Sequence, residues 1–255
     1  MSSVIASHLV LSAMADDADP DLVISRTADL LHPRSRDALA EHVGNLRLNR
    51  TDDIDGLPIP AVPLLRSAGP VPAGVEPIIE APAQGWSILL RTSDSEAVSA
   101  QYAARAAAAL LAHHVDGVGL DLAIPRMWPR LDPSADPDRT ADWFVFDRLD
   151  DGDDETATMT RGLTRFGLPE LRVVDIASSP AWDAVLTGLA HRLLTAASRE
   201  VPAEVELGLS DIAAGYAEPV DPDDPTLTRR TMLALNYADD VADVSGSVVA
   251  DLFTG

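Results

Sequence analysis

Residues Trp86 to Ile124 read WSILLRTSDSEAVSAQYAARAAAALLAHHVDGVGLDLAI, and this stretch sets the fold class. Trp86 to Thr92 is an apolar run of strand length. Ser93 follows as a helix N-cap, and Glu96 stands three residues on, the capping-box pattern that satisfies two free amide donors. The helix then runs from Asp94 to about His114 through Ala103 to Ala112, a segment dominated by the strongest helix former. Gly117 to Ile124 returns as a strand. Strand, capped helix and strand in direct succession predict a sheet with a helix laid on it.

Working outward gives more of the same. Upstream, His8 to Met14 predicts a strand and Asp16 to Asp21 an acidic turn. Helices follow over Asp21 to Leu31 and Ser35 to Val43, then a strand over Asn45 to Arg50. Leu57 to Pro82 is dense in proline, which excludes a long helix and favours an irregular connection. Downstream, Trp143 to Leu149, Leu171 to Ile176 and Thr228 to Tyr237 predict strands. Ser179 and Pro180 suit the N-cap and first position of another helix. Along it Trp182, Val185, Leu186, Leu189, Leu193 and Ala197 recur at helical spacing, an amphipathic face that lies on a sheet.

The resulting expectation is an α+β fold, with a mainly antiparallel sheet covered on one face by the Asp94 and Pro180 helices. Two related strand–helix–strand–strand units are a further expectation. The proline-rich connection places the boundary between an N-terminal unit, residues 1–75, and a main domain, residues 76–255, packed together as one body.

Composition removes whole classes of chemistry. The chain has 255 residues, with 19 basic against 41 acidic side chains and a net charge of −22. Every basic residue is arginine. Without cysteine there is no thiolate catalysis, disulfide or cysteine-ligated metal. Without lysine there is no Schiff base and no P-loop or kinase lysine. A surface this acidic repels phosphate backbones and anionic headgroups, so neither nucleic acid nor membrane is an expected partner; a basic protein is. No run approaches the roughly 20 apolar residues that span a bilayer, and Val4 to Ala15 lacks the positive flank of a leader. The expected location is the cytoplasm.

Candidate sites narrow quickly. His113, His114, Asp116 and Gly117 resemble an acyltransferase pattern with two histidines and Asp-Gly, but one spacer residue stands where three are needed. A helix C-terminus explains them: imidazoles suit the negative end of the dipole, and Gly117 suits the reversal. Adjacent histidines on a helix diverge by about 100°, so they make a poor metal pair. Asp147 to Glu155 has Asp147, Asp151 and Gly152 at calcium-loop positions, but Leu149 and Thr158 stand where ligands belong. An acidic hairpin connection is the expectation there. No serine nucleophile or glycine-rich phosphate loop has its context. No metal or cofactor is expected.

The remaining candidate is Thr160-Arg161-Gly162-Leu163-Thr164-Arg165-Phe166-Gly167-Leu168-Pro169-Glu170-Leu171. Arg161 and Arg165 are able to grip a carboxylate or phosphate through paired hydrogen bonds, with Thr160 adding a hydroxyl and Glu170 orienting a guanidinium. The competing expectation is structural: Phe166 and Leu168 fill the core, the glycines form turns, and Arg165 pairs with Glu170. The pattern T-x-G-L-x-R-F-G-x-P-[ED]-L resembles a signature of uncharacterised bacterial proteins of a domain-of-unknown-function family. Upstream, the helix ending near His114, the strand Gly117 to Ile124 and the Trp128-Pro129 pair are similar to that family's accompanying Gly-Val-x-x-Asp … Trp-x-Pro run. The resemblance spans about Trp86 to Ser198 and implies an α+β fold with no established activity. The sequence thus favours a non-enzymatic adaptor- or immunity-like interaction protein, with an enzyme or binder of a small anionic metabolite as the alternative.

Overall fold

The structure is a computed structural model that describes residues 3–69, 71, 74–124, 126–128, 132–152, 155–175, 180–196, 201–221, 223–246 and 252–253. The chain forms two compact units, residues 1–137 and 138–255. Each contains its own sheet.

In the first unit, β1 (Ser3–Ser12) is followed by α1 (Pro20–Thr27), α2 (Pro33–His42) and β2 (Arg47–Thr51). Then come α3 (Val62–Ala68), α4 (Glu76–Glu80), β3 (Gln84–Ser93), α5 (Ala97–His114), β4 (Val118–Asp121) and β5 (Arg126–Trp128). The five strands form an antiparallel sheet in the order β2-β3-β1-β4-β5. The expected boundary near residue 75 is therefore corrected to the end of residue 137. β1 and β3 pair along their full length, from Ser3 opposite Ser93 to Ser12 opposite Gln84, so no unit can end between them. The strands expected at His8 to Met14, Asn45 to Arg50, Trp86 to Thr92 and Gly117 to Ile124 build this one sheet, whereas the one expected at Trp143 to Leu149 belongs to the other.

Alternation along β1 explains why this sheet is buried on both faces. Ala6 and Val10 point with Trp86, Ile88 and Leu90 into a core completed by α1, α2 and α5. Leu9 and Leu11 point the other way, to Val118, Leu120 and Met127, under Leu65 of α3 and Ile79 of α4. The proline-rich segment is thus a cover for the second face. α5 is buried along thirteen of its eighteen residues. It lies against β1 and β3 and also against α2 and α1, and its alanines let all of them approach closely. Glu96 accepts from the Thr92 hydroxyl, so the expected Ser93 capping box is replaced by a bond one residue earlier.

The second unit contains β6 (Val145–Gly152), β7 (Glu155–Arg161), β8 (Glu170–Asp175), α6 (Pro180–Thr195), β9 (Glu204–Gly208), α7 (Leu209–Gly215), β10 (Arg230–Ala238) and β11 (Val241–Ser245). Its sheet runs β6-β7-β8-β11-β10-β9 and is mixed, because β8 and β11 are parallel. Val185, Leu186, Leu189 and Leu193 of α6 are buried, as the periodicity predicts. The Ser179 N-cap lies outside the described residues. The α+β class holds, but α5 and α6 cover separate sheets, one antiparallel and one mixed. Among the described residues no helix is long and apolar enough to cross a membrane.

Gly117 is required for a reason the sequence does not display. Its φ is not left-handed; Asp116 takes that conformation, at φ 47°. A Cβ on Gly117 would lie 2.4 Å from the Leu11 carbonyl oxygen, where the chain leaving α5 is pressed against β1. Backbone cannot yield as a side chain does, so Gly117→Ala is expected to destabilise the chain by about 1–3 kcal/mol. Gly44→Ala, with open space around it, is expected to be near neutral. Denaturant midpoints of the two variants check this.

Candidate functional site

The candidate segment connects β7 to β8. Thr160 and Arg161 end β7, a single 3-10 turn occupies Thr164–Phe166, and Glu170 opens β8. Leu163, Phe166 and Leu168 are all buried, and Phe166 meets Trp143 edge-on with ring centroids 5.5 Å apart. Apolar side chains on both sides of the turn therefore hold it against the sheet.

At its centre is the Glu170 carboxylate, 9% exposed. One oxygen accepts from the Thr160 hydroxyl at 2.8 Å. The other accepts from the Gly162 amide at 2.7 Å and from the Thr164 amide and hydroxyl at 3.2 and 3.3 Å. The Thr160 hydroxyl in turn accepts from the Leu171 amide at 2.8 Å, and the Glu170 amide donates to the Asp240 carbonyl at 2.8 Å. Gly162 has φ 129°, a conformation that L side chains rarely adopt, and this aims its amide at the carboxylate. A buried carboxylate holding several donors is far better satisfied than one facing a single cation.

The two arginines go to different places. Arg161 donates through Nε and Nη2 to the two carboxylate oxygens of Asp147, at 2.8 and 2.9 Å, a forked pair across the β6–β7 hairpin. Arg165 is 7% exposed. Its Nε donates to the Gly162 carbonyl at 3.0 Å, its Nη2 donates to the Trp143 carbonyl, and the guanidinium sits 5.6 and 5.7 Å from the Trp143 and Phe166 ring centres. The structure thus brings Thr160 and Glu170 together and directs Arg161 and Arg165 into protein contacts of their own. The expected Arg165–Glu170 pairing gives way to these carbonyl bonds. Asp147 and Trp143 are contributors the sequence does not reveal, because β7 is not legible and the register of its hairpin is needed to pair Arg161 with Asp147.

The other charged candidates also resolve. His114 Nε2 lies 3.3 Å from Asp16 Oδ2, whereas His113 lines a 660 Å³ concavity with Asp116, Asp132 and Ser134. The Ser134 hydroxyl and amide hold the Asp132 carboxyl below the usual carboxylate range. Among the described residues no three His, Asp or Glu side chains gather as metal ligands. The calcium-like segment is the β6–β7 hairpin, in which Asp147 is taken by Arg161.

A different charge feature lies at one end of the first sheet, where β1 and β2 end and β3 begins. The buried Gln84 amide ties two acidic loops together: its oxygen accepts from the Asp16 amide at 2.8 Å, and its nitrogen donates to Asp52 Oδ1 at 3.0 Å. On or beside these loops Asp17, Asp19, Asp21, Asp52, Asp53 and Asp55 are exposed, and Arg50 lies 3.7 Å from Asp17.

No protein-family model, curated protein or solved structure matches the chain.

Glu170→Ala would strand the Gly162 and Thr164 amides, and a loss of about 2–4 kcal/mol is expected. Thr160→Val should cost about 1–3 kcal/mol. The double variant should fall well short of the sum, because both act on one network; a denaturation cycle measures the coupling.

Proposed function

We propose that this chain is a non-enzymatic, adaptor-like protein of the cytoplasm that binds a basic protein partner through its exposed carboxylates. The observation that carries the reading is the disposition of the arginines. Arg148 pairs with Asp183, Arg161 with Asp147, Arg172 with Asp243 and Arg192 with Asp211, while Arg165 is buried. Each pair neutralises one carboxylate, and 19 arginines face 41 carboxylates, so more than half of the negative charge has no arginine to match it. Exposed carboxylates gather where Gln84 holds the Asp16–Asp21 and Asp52–Asp55 loops together, with Arg50 3.7 Å from Asp17 as the cation beside them.

Such a surface attracts a cationic one at long range and selects against nucleic acid and anionic membrane. The binder of a small anionic metabolite, based on Arg161 and Arg165, has less support, since those guanidiniums serve Asp147, two carbonyls and two aromatic rings. The likeness of residues 160–171 to an uncharacterised bacterial family agrees with a scaffold segment without assigning a reaction.

The test is affinity capture with this chain as bait, alongside a variant carrying Asp17→Asn, Asp19→Asn, Asp53→Asn and Asp55→Asn. The expected partner is basic and is released by salt, and its affinity for the variant falls at least about tenfold. Capture that is insensitive to both salt and substitution, or no specific partner at all, would contradict the proposal.

A further inference from the structure

The opposite end of the first sheet carries two exposed arginines, Arg47 and Arg91, on one face, with Asp94 and Glu96 following the last residue of β3. A groove of 540 Å³ opens there between the start of β2 and the end of β3, lined by Asn45, Leu46, Arg47, Leu89, Arg91 and Ile5. Arg47 lies opposite Leu89, and Ile5 lies opposite Arg91. By strand alternation these four side chains share one face of the sheet. Ile5 is 46% and Leu89 38% exposed, so the cover that α3 and α4 give the rest of this face stops short of them.

Three features of this groove belong together. First, Arg47 and Arg91 are exposed and have no ion pair or side-chain hydrogen bond among the described residues. Of the described arginines only Arg26 shares that condition; the others are engaged by carboxylates, carbonyls or other groups. Second, the two arginines are diagonal neighbours across β2 and β3, roughly 7–8 Å apart, so they repel one another until an anion lies between them. Among the described residues no carboxylate pairs with either. Third, β3 outlasts β2. Their pairing ends at Leu89 opposite Arg47, and from Leu90 to Ser93 the lane beside β3 away from β1 holds no described strand.

We infer that this groove takes an extended acidic segment of a partner protein, added to β3 in line with β2. Backbone bonds to the edge of Leu90–Ser93 would hold the segment. A carboxylate side chain would sit against Arg47 and Arg91, and an apolar residue two positions along would cover Leu89 and Ile5. The free edge favours an extended peptide over a compact anion. With the acidic loops at the far end of the same sheet, the unit presents two docking surfaces of opposite sign.

The probe is the capped peptide Glu-Thr-Val-Thr-Glu, whose Glu and Val side chains share one face when extended, titrated into the full chain with amide chemical shifts as readout. Expected are shifts centred on Leu90 to Ser93, affinity reduced about tenfold by Arg47→Ala with Arg91→Ala, and a comparable loss when the peptide backbone is N-methylated. Both arginines are exposed, so an unchanged melting temperature confirms that the variant is folded. The inference is overturned if the peptide causes no shift at millimolar concentration, or if Lys-Thr-Val-Thr-Lys binds as well. It is equally overturned if free glutarate matches the peptide, which would make the groove a small-anion site. Concentration-dependent dimerisation abolished by Arg47→Glu would make the occupant a second copy and overturn it too.

Discussion

The second unit depends on one buried carboxylate. Glu170 opens β8, the strand that joins the antiparallel β6–β7 side of the sheet to the β9–β11 side through its parallel pairing with β11. Its backbone amide is bonded to the Asp240 carbonyl at the start of that pairing, and its side chain collects Thr160, Gly162 and Thr164 from the incoming turn. One residue therefore fixes both where β8 begins and how the chain arrives there. Buried negative charge is tolerated because nearly all its acceptor capacity is used by donors held rigidly in place.

The same logic governs the arginines. In a chain without lysine, guanidinium is the whole supply of permanent positive charge, and it is spread through forked pairs such as Arg161–Asp147 and Arg172–Asp243. The first of these spans a hairpin and the second joins residues directly opposite in the parallel pair. Asp243 is held below the ordinary carboxylate range by its hydrogen bond to Arg172. Pairs as exposed as these contribute little apiece, within about 1 kcal/mol; their effect is on register and on where charge remains. Left exposed on the first sheet are carboxylates on the loops tied by Gln84 at one end and the guanidiniums of Arg47 and Arg91 at the other.

Much of the architecture was legible because it rests on local patterns. The alanine-rich run forms α5, the Trp182-to-Leu193 periodicity forms the buried side of α6, and the apolar run at His8 to Met14 marks the strand β1. Less legible were features set by tertiary register. Nothing in Glu155–Arg161 outweighs its polar threonines until β6 and β8 flank it as β7, and β9 and β11 are equally short and acidic. The domain boundary failed for a related reason: proline density marks an irregular segment, but only the β1–β3 pairing shows that the segment covers a face. In the candidate site, the turn and its apolar plugs were readable, whereas the Glu170 network needed three-dimensional proximity. Gly117 illustrates the limit: the residue stood out, yet its reason is the Leu11 carbonyl and not a left-handed turn.

If residues 160–171 are permanent scaffold, their internal hydrogen bonds should open only when the second unit unfolds. Native-state amide exchange at Gly162 and Thr164 tests this most directly. Protection equal to that of Leu171, whose amide is held by Thr160 in the same network, is expected. Exchange at Gly162 and Thr164 as fast as at the exposed Asp223 turn would show that the segment opens independently and would contradict it.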